Sequence, residues 1–416
     1  MSSRAAERLP RVLALALLLA GGIAAGCKEP PAKTEAARPD FWLLDDPKEL
    51  LTPTRGVVVV DRSGELSFEG STLRAIDGDS TTAWLSPPKD LEQWVIFELP
   101  ARSRITRVGA STGRVSSISG GVAKLRFEGS LDGETFSELR TVDIEQKKDD
   151  QTFEVPASEV RFLRVTTLGN HGDEMVIVVP TLHAKGEELE QPAPPRFAGR
   201  WQVYDWTVDF SQEGSTLYGV AQMDPPMIFY GAVYGRVARL AWSRGNESGL
   251  AWFSVNASST RLSGLWWWVD PLLNPWLGEA WYGERIGDAP GFRTPIPQIA
   301  DVHLRKSGKF PLYGLVFRPD GNLDVEASRS AIEFIGEALR TFPTYRVRLE
   351  VLDCSTWDES RNLALSRDRA AKLSAALVRA GLPKERLIIE PTSRTDRAWQ
   401  MLRLLFSRVE FSLAGI

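Results

Sequence analysis

Residues 75–84 read A-I-D-G-D-S-T-T-A-W, a polar turn that closes on a tryptophan. The D-G pair reverses the chain, and an indole directly after a polar run plugs a core. Outward from this turn, short alternating or apolar runs recur. They lie at Trp94–Leu99, Ile105–Ala110, Ala123–Glu128, Arg161–Thr166 and Val176–Val179, separated by D-G, G-G and N-H-G. Strands at this spacing predict a β-sandwich over residues 53–186.

Four motifs follow in order across that unit: A-I-D-G-D-S-T-T-A-W, Q-W-V-I-F-E-L-P, L-R-F-E-G-S-L-D-G-E-T-F and V-R-F-L-R-V. Together they resemble a discoidin domain, also called the coagulation-factor C-type or galactose-binding-like domain. The resemblance implies a jelly roll that presents binding loops at one end, often for glycans. In many members the first motif wraps a structural calcium. Carried over, Asp77, Asp79 and Thr82 would supply oxygens, which suits a hard cation. Thr181 stands where members often place a glutamate, and a plain polar turn is the alternative. No cofactor is otherwise required. Trp94 and Arg164 fall at positions that the family uses inside the sandwich. The turns Thr112–Gly121 and Gly169–Glu174 hold the ligand candidates Arg114, Asn170, His171 and Asp173. These loops lack an aromatic platform, so a protein-contact surface or a solvated loop stands beside the glycan reading.

Residues 187–196, E-E-L-E-Q-P-A-P-P-R, form a proline-rich linker, because proline joins neither a central strand nor a helix interior. Beyond it, W-Q-V-Y-D-W-T-V-D-F, S-T-L-Y-G-V-A-Q-M, M-I-F-Y-G-A-V-Y-G, V-A-R-L-A-W, L-A-W-F-S-V and R-L-S-G-L-W-W-W recur about every ten residues. This predicts an antiparallel β-meander over 197–304, an up-and-down barrel or a strongly curved sheet. It bears a weak likeness to small lipocalin-like bacterial domains. Of fourteen tryptophans, nine lie between Trp201 and Trp281. Trp266, Trp267 and Trp268 are consecutive, so in a strand at least one faces away from the core. Core plug and exposed aromatic rim are the two readings.

The third unit, 310–416, alternates element types. Strands are expected at Leu312–Phe317, Arg346–Leu352, Leu387–Ile389 and Leu404–Leu413, and helices at Val325–Arg340 and Arg361–Ala380, the latter stopped by Gly381 and Pro383. The order βαβαββ implies an α+β sheet with its helices on one face. N-L-A-L-S-R-D-R-A at 362–370, then L-V-R-A-G-L-P-K-E-R-L, resemble the OmpA-like peptidoglycan-associated domain. V-F-R-P-D-G-N-L at 316–323 and S-R-V-E at 407–410 fit its start and end. That family clasps the diaminopimelate of wall peptides between an aspartate and an arginine. Arg369 matches the arginine, and Asn362 opens the matching helix motif. Counting back without gaps, the aspartate position falls on Cys354, with Asp353 or Asp358 able to substitute after a loop shift. Phe406 and Ser407 replace the asparagine and arginine that usually open the last motif.

At the N-terminus, V-L-A-L-A-L-L-L-A-G-G-I-A-A-G at 12–26 follows Arg4, Arg8 and Arg11 and precedes Cys27. Basic start, short apolar middle and small residues make a secretory signal over 1–26. The small-small-Cys ending resembles a lipoprotein lipobox, with Ala24 where leucine is commonest. The resemblance implies that Cys27 carries the acyl chains and that 27–52 is a flexible tether. An ordinary cleaved signal is the alternative. A net charge of −4 gives no electrostatic case for nucleic acid. His171, His183 and His303 lie too far apart for a zinc-hydrolase motif on one helix.

The sequence therefore predicts a multidomain, non-catalytic lipoprotein of the cell envelope, on the outer membrane facing the periplasm. Its expected partners are the membrane through the lipid, peptidoglycan, and a glycan or envelope protein. An envelope-complex subunit using all three domains only for protein contacts is the alternative. A carbohydrate-active enzyme would need its catalytic pair among Asp205, Asp209, Glu213, Glu279 and Glu284.

Overall fold

The computed structural model describes residues 46–415, apart from 80, 113–119, 148, 173–174, 192, 269–270, 272–273, 319, 357 and 394–404. Cys27, the signal and most of the tether lie outside the described residues. Among those described, no helix is long and apolar enough to cross a membrane.

The first unit is a two-sheet sandwich. Its strands are β1 (Val58–Arg62), β2 (Trp84–Leu85), β3 (Trp94–Ser111), β4 (Val122–Ser130), β5 (Ser137–Asp143), β6 (Gln151–Asn170), β7 (Val178–Val179) and β8 (Thr181–Glu188). One sheet runs β1-β3-β6-β4-β5, with β8 also on β3, and β2 pairs with β7. The expected strands Trp94–Leu99 and Ile105–Ala110 are one long strand. It pairs with β1 in its first half and β8 in its second, and its ladder to β6 breaks between Glu98 and Ser103. Pro100 sits in that gap, and Pro156 sits in a second gap opposite, where a missing N–H costs nothing. Trp84 is fully buried and donates its Nε1 hydrogen to Gly64 O.

Two boundaries move. Leu50 and Leu51 are buried in the sandwich core, and Leu50 N donates to Ala184 O, so 46–52 belongs with the sandwich and not the tether. Lys185–Glu188, the start of the expected linker included, lies in β8.

The second unit is a closed barrel of eight antiparallel strands. These are β9 (Gly199–Val203), β10 (Trp206–Glu213), β11 (Thr216–Ala221), β12 (Met227–Tyr234), β13 (Val237–Arg244), β14 (Glu247–Val255), β15 (Arg261–Trp267) and β16 (Glu279–Gly287), each beside the next, with β16 closing on β9. Phe210, Phe229, Phe253 and Trp281 stack inside with ring centroids 5.4–6.3 Å apart. Gly219 makes room for them, since a Cβ there would lie 2.6 Å from the Phe210 ring. Aromatic rings thus fill the interior that a lipocalin-like likeness would leave for a ligand.

The outer face of the barrel is buried as well. Val59 N donates to Ser263 Oγ at 3.2 Å, and Asn256 Nδ2 donates to Glu98 at 2.8 Å, on the sandwich side. On the other side Tyr218 and Ser330 hydroxyls meet at 2.7 Å, and Tyr234 donates to Leu315 O. Helix α1 (Ile296–Ser307), which the meander reading did not include, covers β12–β14. The barrel is a hub between two neighbours. Strands covered on both faces read as apolar runs, so their alternation is blurred.

The third unit contains β17 (Phe310–Pro311), α2 (Arg329–Thr341), β18 (Tyr345–Asp353), α3 (Glu359–Arg379), β19 (Leu387–Ser393) and β20 (Val409–Gly415), in sheet order β17-β20-β18-β19. Gly381, at φ +89°, ends α3, with Gly381 N donating to Val378 O. The expected strand Leu312–Phe317 is not one: the chain leaves the sheet after Pro311 to press on the barrel. There, a Cβ on Gly314 would meet the Tyr230 hydroxyl at 1.9 Å. The last strand starts at Val409 rather than 404, because Leu405 and Phe406 turn inward as buried anchors.

Candidate functional site

The sandwich turn around residue 77 is buried and polar. Asp77 Oδ2 accepts from Thr82 Oγ1 at 2.8 Å and faces Arg74 Nη1 at 3.4 Å; its Oδ1 accepts from Asp79 N. Asp79 Oδ1 accepts from Thr81 N and Oγ1 at 2.7 and 2.6 Å. Burial pushes the Asp77 carboxyl up to about 7 against the pull of Arg74, and raises Asp79 too. Among these oxygens only Asp79 Oδ2 is buried without a partner. No cluster of three acidic, histidine or cysteine groups that could hold a metal exists among the described residues. Asp77, Asp79 and Thr82 lie together in one hydrogen-bonded turn, and the positive charge that faces Asp77 there is Arg74.

Arg74 also reaches out of the sandwich. Its Nη2 donates to Gly278 O of the barrel at 2.7 Å, and its guanidinium lies 5.9 Å from the Trp267 ring. Beside it, Tyr282 of the barrel meets Thr72 Oγ1 at 2.9 Å and Glu65 at 2.5 Å. This turn joins the sandwich to the barrel.

At the loop end, Asn170 Nδ2 donates to Val176 O at 2.9 Å, and His171 Nε2 lies 2.6 Å from Ile144 O. Both are half-buried and brace their loop. Arg114 and Asp173 lie outside the described residues. Arg164 forks onto Glu128 at 2.8 and 2.6 Å, and this contact holds the Glu128 carboxyl below its usual range, so its role is structural. The sequence reading did not single out His183. Burial works against its charge, but Asp150 and Glu49 on either side lift it to about 9. Glu49 comes from the segment assigned to the tether.

In the third unit Arg369 and Asp353 do face each other, without a loop shift, and form a buried ion pair. Asp353 is wholly enclosed, and its other oxygen accepts from Ser355 N and Oγ at 2.9 and 2.6 Å. Asn362 is buried too and ties Thr356 through its Oδ1 and Nδ2. The arginine and the acid that were to grip a wall peptide grip one another. Cys354 is a buried thiol.

Of the five carboxylates weighed for glycoside hydrolysis, Asp209, Glu213 and Glu284 pair with Arg200, Arg293 and Arg261. Asp205 is exposed and Glu279 half-buried.

The sandwich has a jelly-roll-like fold, and residues 60–179 match the F5/8 type C domain. Among solved structures, the chain is similar to the CBM32-3 module of a family 31 glycoside hydrolase from Clostridium perfringens. That match has 20% identity and a TM-score of 0.29 and covers 32% of this chain and 92% of that one. It is also similar to the C-terminal domain of a chitobiase from Bacteroides fragilis, with 21% identity, a TM-score of 0.30, and 34% and 99% of the two chains covered. A third likeness is the CpGH89CBM32-5 module of Clostridium perfringens, solved with GalNAc-β-1,3-galactose. It has 18% identity and a TM-score of 0.29, over 33% and 99% of the two chains. A comparison with curated proteins finds no match.

Proposed function

We propose that this chain is a non-catalytic protein of the cell envelope whose F5/8 type C domain binds glycan through the loops around Asn170 and His171. The observation that carries the reading is the match over residues 60–179. Pairing of Asp209, Glu213 and Glu284 with arginines supports a binding role over a hydrolytic one. Exposure of the full chain to an array of neutral and acidic oligosaccharides tests it. At least one glycan should bind, and His171→Ala should weaken it roughly tenfold, since the loss of one braced polar contact is worth about 1–2 kcal/mol. Binding of no glycan at all would overturn the proposal.

The signal and Cys27 support lipid attachment and export to the outer membrane, facing the periplasm, with residues 27–45 as the tether. The α+β unit carries the OmpA-like motifs and is proposed to lie at the wall. A second reading, in which that unit makes only protein contacts, is favoured by the closure of Arg369 on Asp353. Co-sedimentation with purified sacculi at low salt separates them. Pelleting that Arg369→Ala weakens supports wall association, and a chain left in the supernatant supports protein contacts.

A further inference from the structure

One end of the barrel carries an aromatic surface that the sandwich loops do not explain. The antiparallel register places the Tyr204–Asp205 turn at the same end as the two strand ends that anchor the β15–β16 connection, Trp267 and Glu279. Trp268 and Trp276 on that connection are 39% and 53% exposed. From the sandwich, Phe68 is 50% exposed and packs edge-on against Tyr204, with ring centroids 5.4 Å apart. Tyr204 holds a left-handed backbone, φ 50°, which side chains other than glycine's rarely adopt. Strain of this kind persists where surrounding contacts impose it and gathers at binding sites.

Behind this rim the tryptophans continue inward. Trp268 contacts Trp266 at 5.2 Å, Trp266 contacts Trp281 at 5.9 Å, and Trp281 contacts Trp206 at 6.2 Å. The indole nitrogens of Trp266 and Trp281 are buried and have no acceptor among the described residues, although these residues are only 8% and 1% exposed. Two carboxylates lie at the same end: Glu279, half-buried at the start of β16 with its pKa raised by burial first and the nearby charge of Glu69 second, and the exposed Glu69 itself.

We propose that this rim is a second carbohydrate site, separate from the sandwich loops, and that it takes a neutral sugar ring. The apolar face of such a ring stacks on an exposed indole, and its hydroxyls donate to carboxylates. An anionic ligand would meet Asp205, Glu69 and Glu279. A purely apolar segment would cover the carboxylates without giving them partners. The filled interior excludes a ligand swallowed by the barrel, so the sugar lies across the rim. With the sandwich loops, it would give one chain two weak glycan contacts and hence avidity on a dense polymer.

The proposal extends the glycan-binding reading, and the array separates the two. The full chain, a Trp268→Ala/Trp276→Ala variant and the His171→Ala variant are compared on the same neutral and acidic oligosaccharides, with circular dichroism confirming that each folds. At least one neutral glycan is expected to bind the rim variant roughly tenfold more weakly while binding His171→Ala as the parent does. If every bound glycan keeps its affinity in the rim variant, this proposal falls and the sandwich reading stands. If the rim variant instead loses binding only to phosphatidylglycerol vesicles, the surface is a membrane contact and the proposal is overturned.

Discussion

Arg74→Ala is expected to destabilise the sandwich–barrel pair by about 3–5 kcal/mol, the usual cost of removing one partner of a buried ion pair. The guanidinium is what makes two adjacent buried aspartates tolerable. Asp77 already sits near 7 with Arg74 beside it, because burial outweighs the attraction. Without the arginine, both carboxyls face the interior with only Thr81, Thr82 and backbone hydrogens for company. The same change removes the bond to Gly278 O, which joins the two units. Arg74→Met with Asp77→Asn should recover most of the loss, since an apolar replacement of the pair leaves no unpaired charge. Thermal unfolding followed by tryptophan fluorescence reads the result. Adding calcium or a chelator should leave the wild-type midpoint unchanged. A calcium-dependent midpoint, or an Arg74→Ala loss below about 1 kcal/mol, would sink the account of this turn as a charge-compensated joint.

Much of the sandwich was legible because its signals are local. The D-G-D-S-T-T-A-W turn and the strands after it announce themselves in the chain, and Trp84 plugs the core as read. The role of that turn was not legible, because it depends on Gly278, some two hundred residues away. The meander could be predicted from its ten-residue rhythm, but its closure rests on the pairing of β16 with β9, which the rhythm alone left open. Blurred alternation in M-I-F-Y-G-A-V-Y hid the fact that both faces are covered, by rings inside and by neighbouring units outside. The three consecutive tryptophans satisfied both readings: Trp266 and Trp267 are buried on opposite faces, and Trp268 stands at the rim. Helix α1 did leave a signal. Ile296, Ile299, Ala300 and His303 recur at helical spacing between Pro295 and Gly308, at φ +73°. The pairing of Arg369 with Asp353 was open at the sequence level, since neighbouring residues point to opposite sides and only the register of β18 decides which of Asp353 and Cys354 meets Arg369.

That overlooked helix sets the second large effect. His303 lies between α1 and the barrel, its Nε2 donating to Trp242 O at 3.1 Å and its ring 5.6 Å from Phe310. Burial pushes it down to about 3; Arg408 and Lys306 lower it further, against the pull of the Trp242 carbonyl. An unfolded histidine titrates near 6.5, so the folded state gives up protons more readily than the unfolded one. The stability that rests on a neutral His303 is therefore complete above about pH 6.5 and is lost as the pH falls toward 3. By about pH 4.5 the loss should reach roughly 3 kcal/mol, at 1.4 kcal/mol per pH unit. His303→Gln keeps an N–H donor for Trp242 O and cannot titrate. Denaturant unfolding of the two proteins across this range isolates the effect, since the salt-bridged carboxylates, such as Glu128 and Glu410, contribute equally to both. The variant should lose markedly less stability in acid than the parent. Parallel acid limbs would mean that the imidazole stays neutral or finds a partner as α1 loosens. Because β17 begins three residues after α1 ends, charging His303 would loosen the contact between the barrel and the α+β unit first.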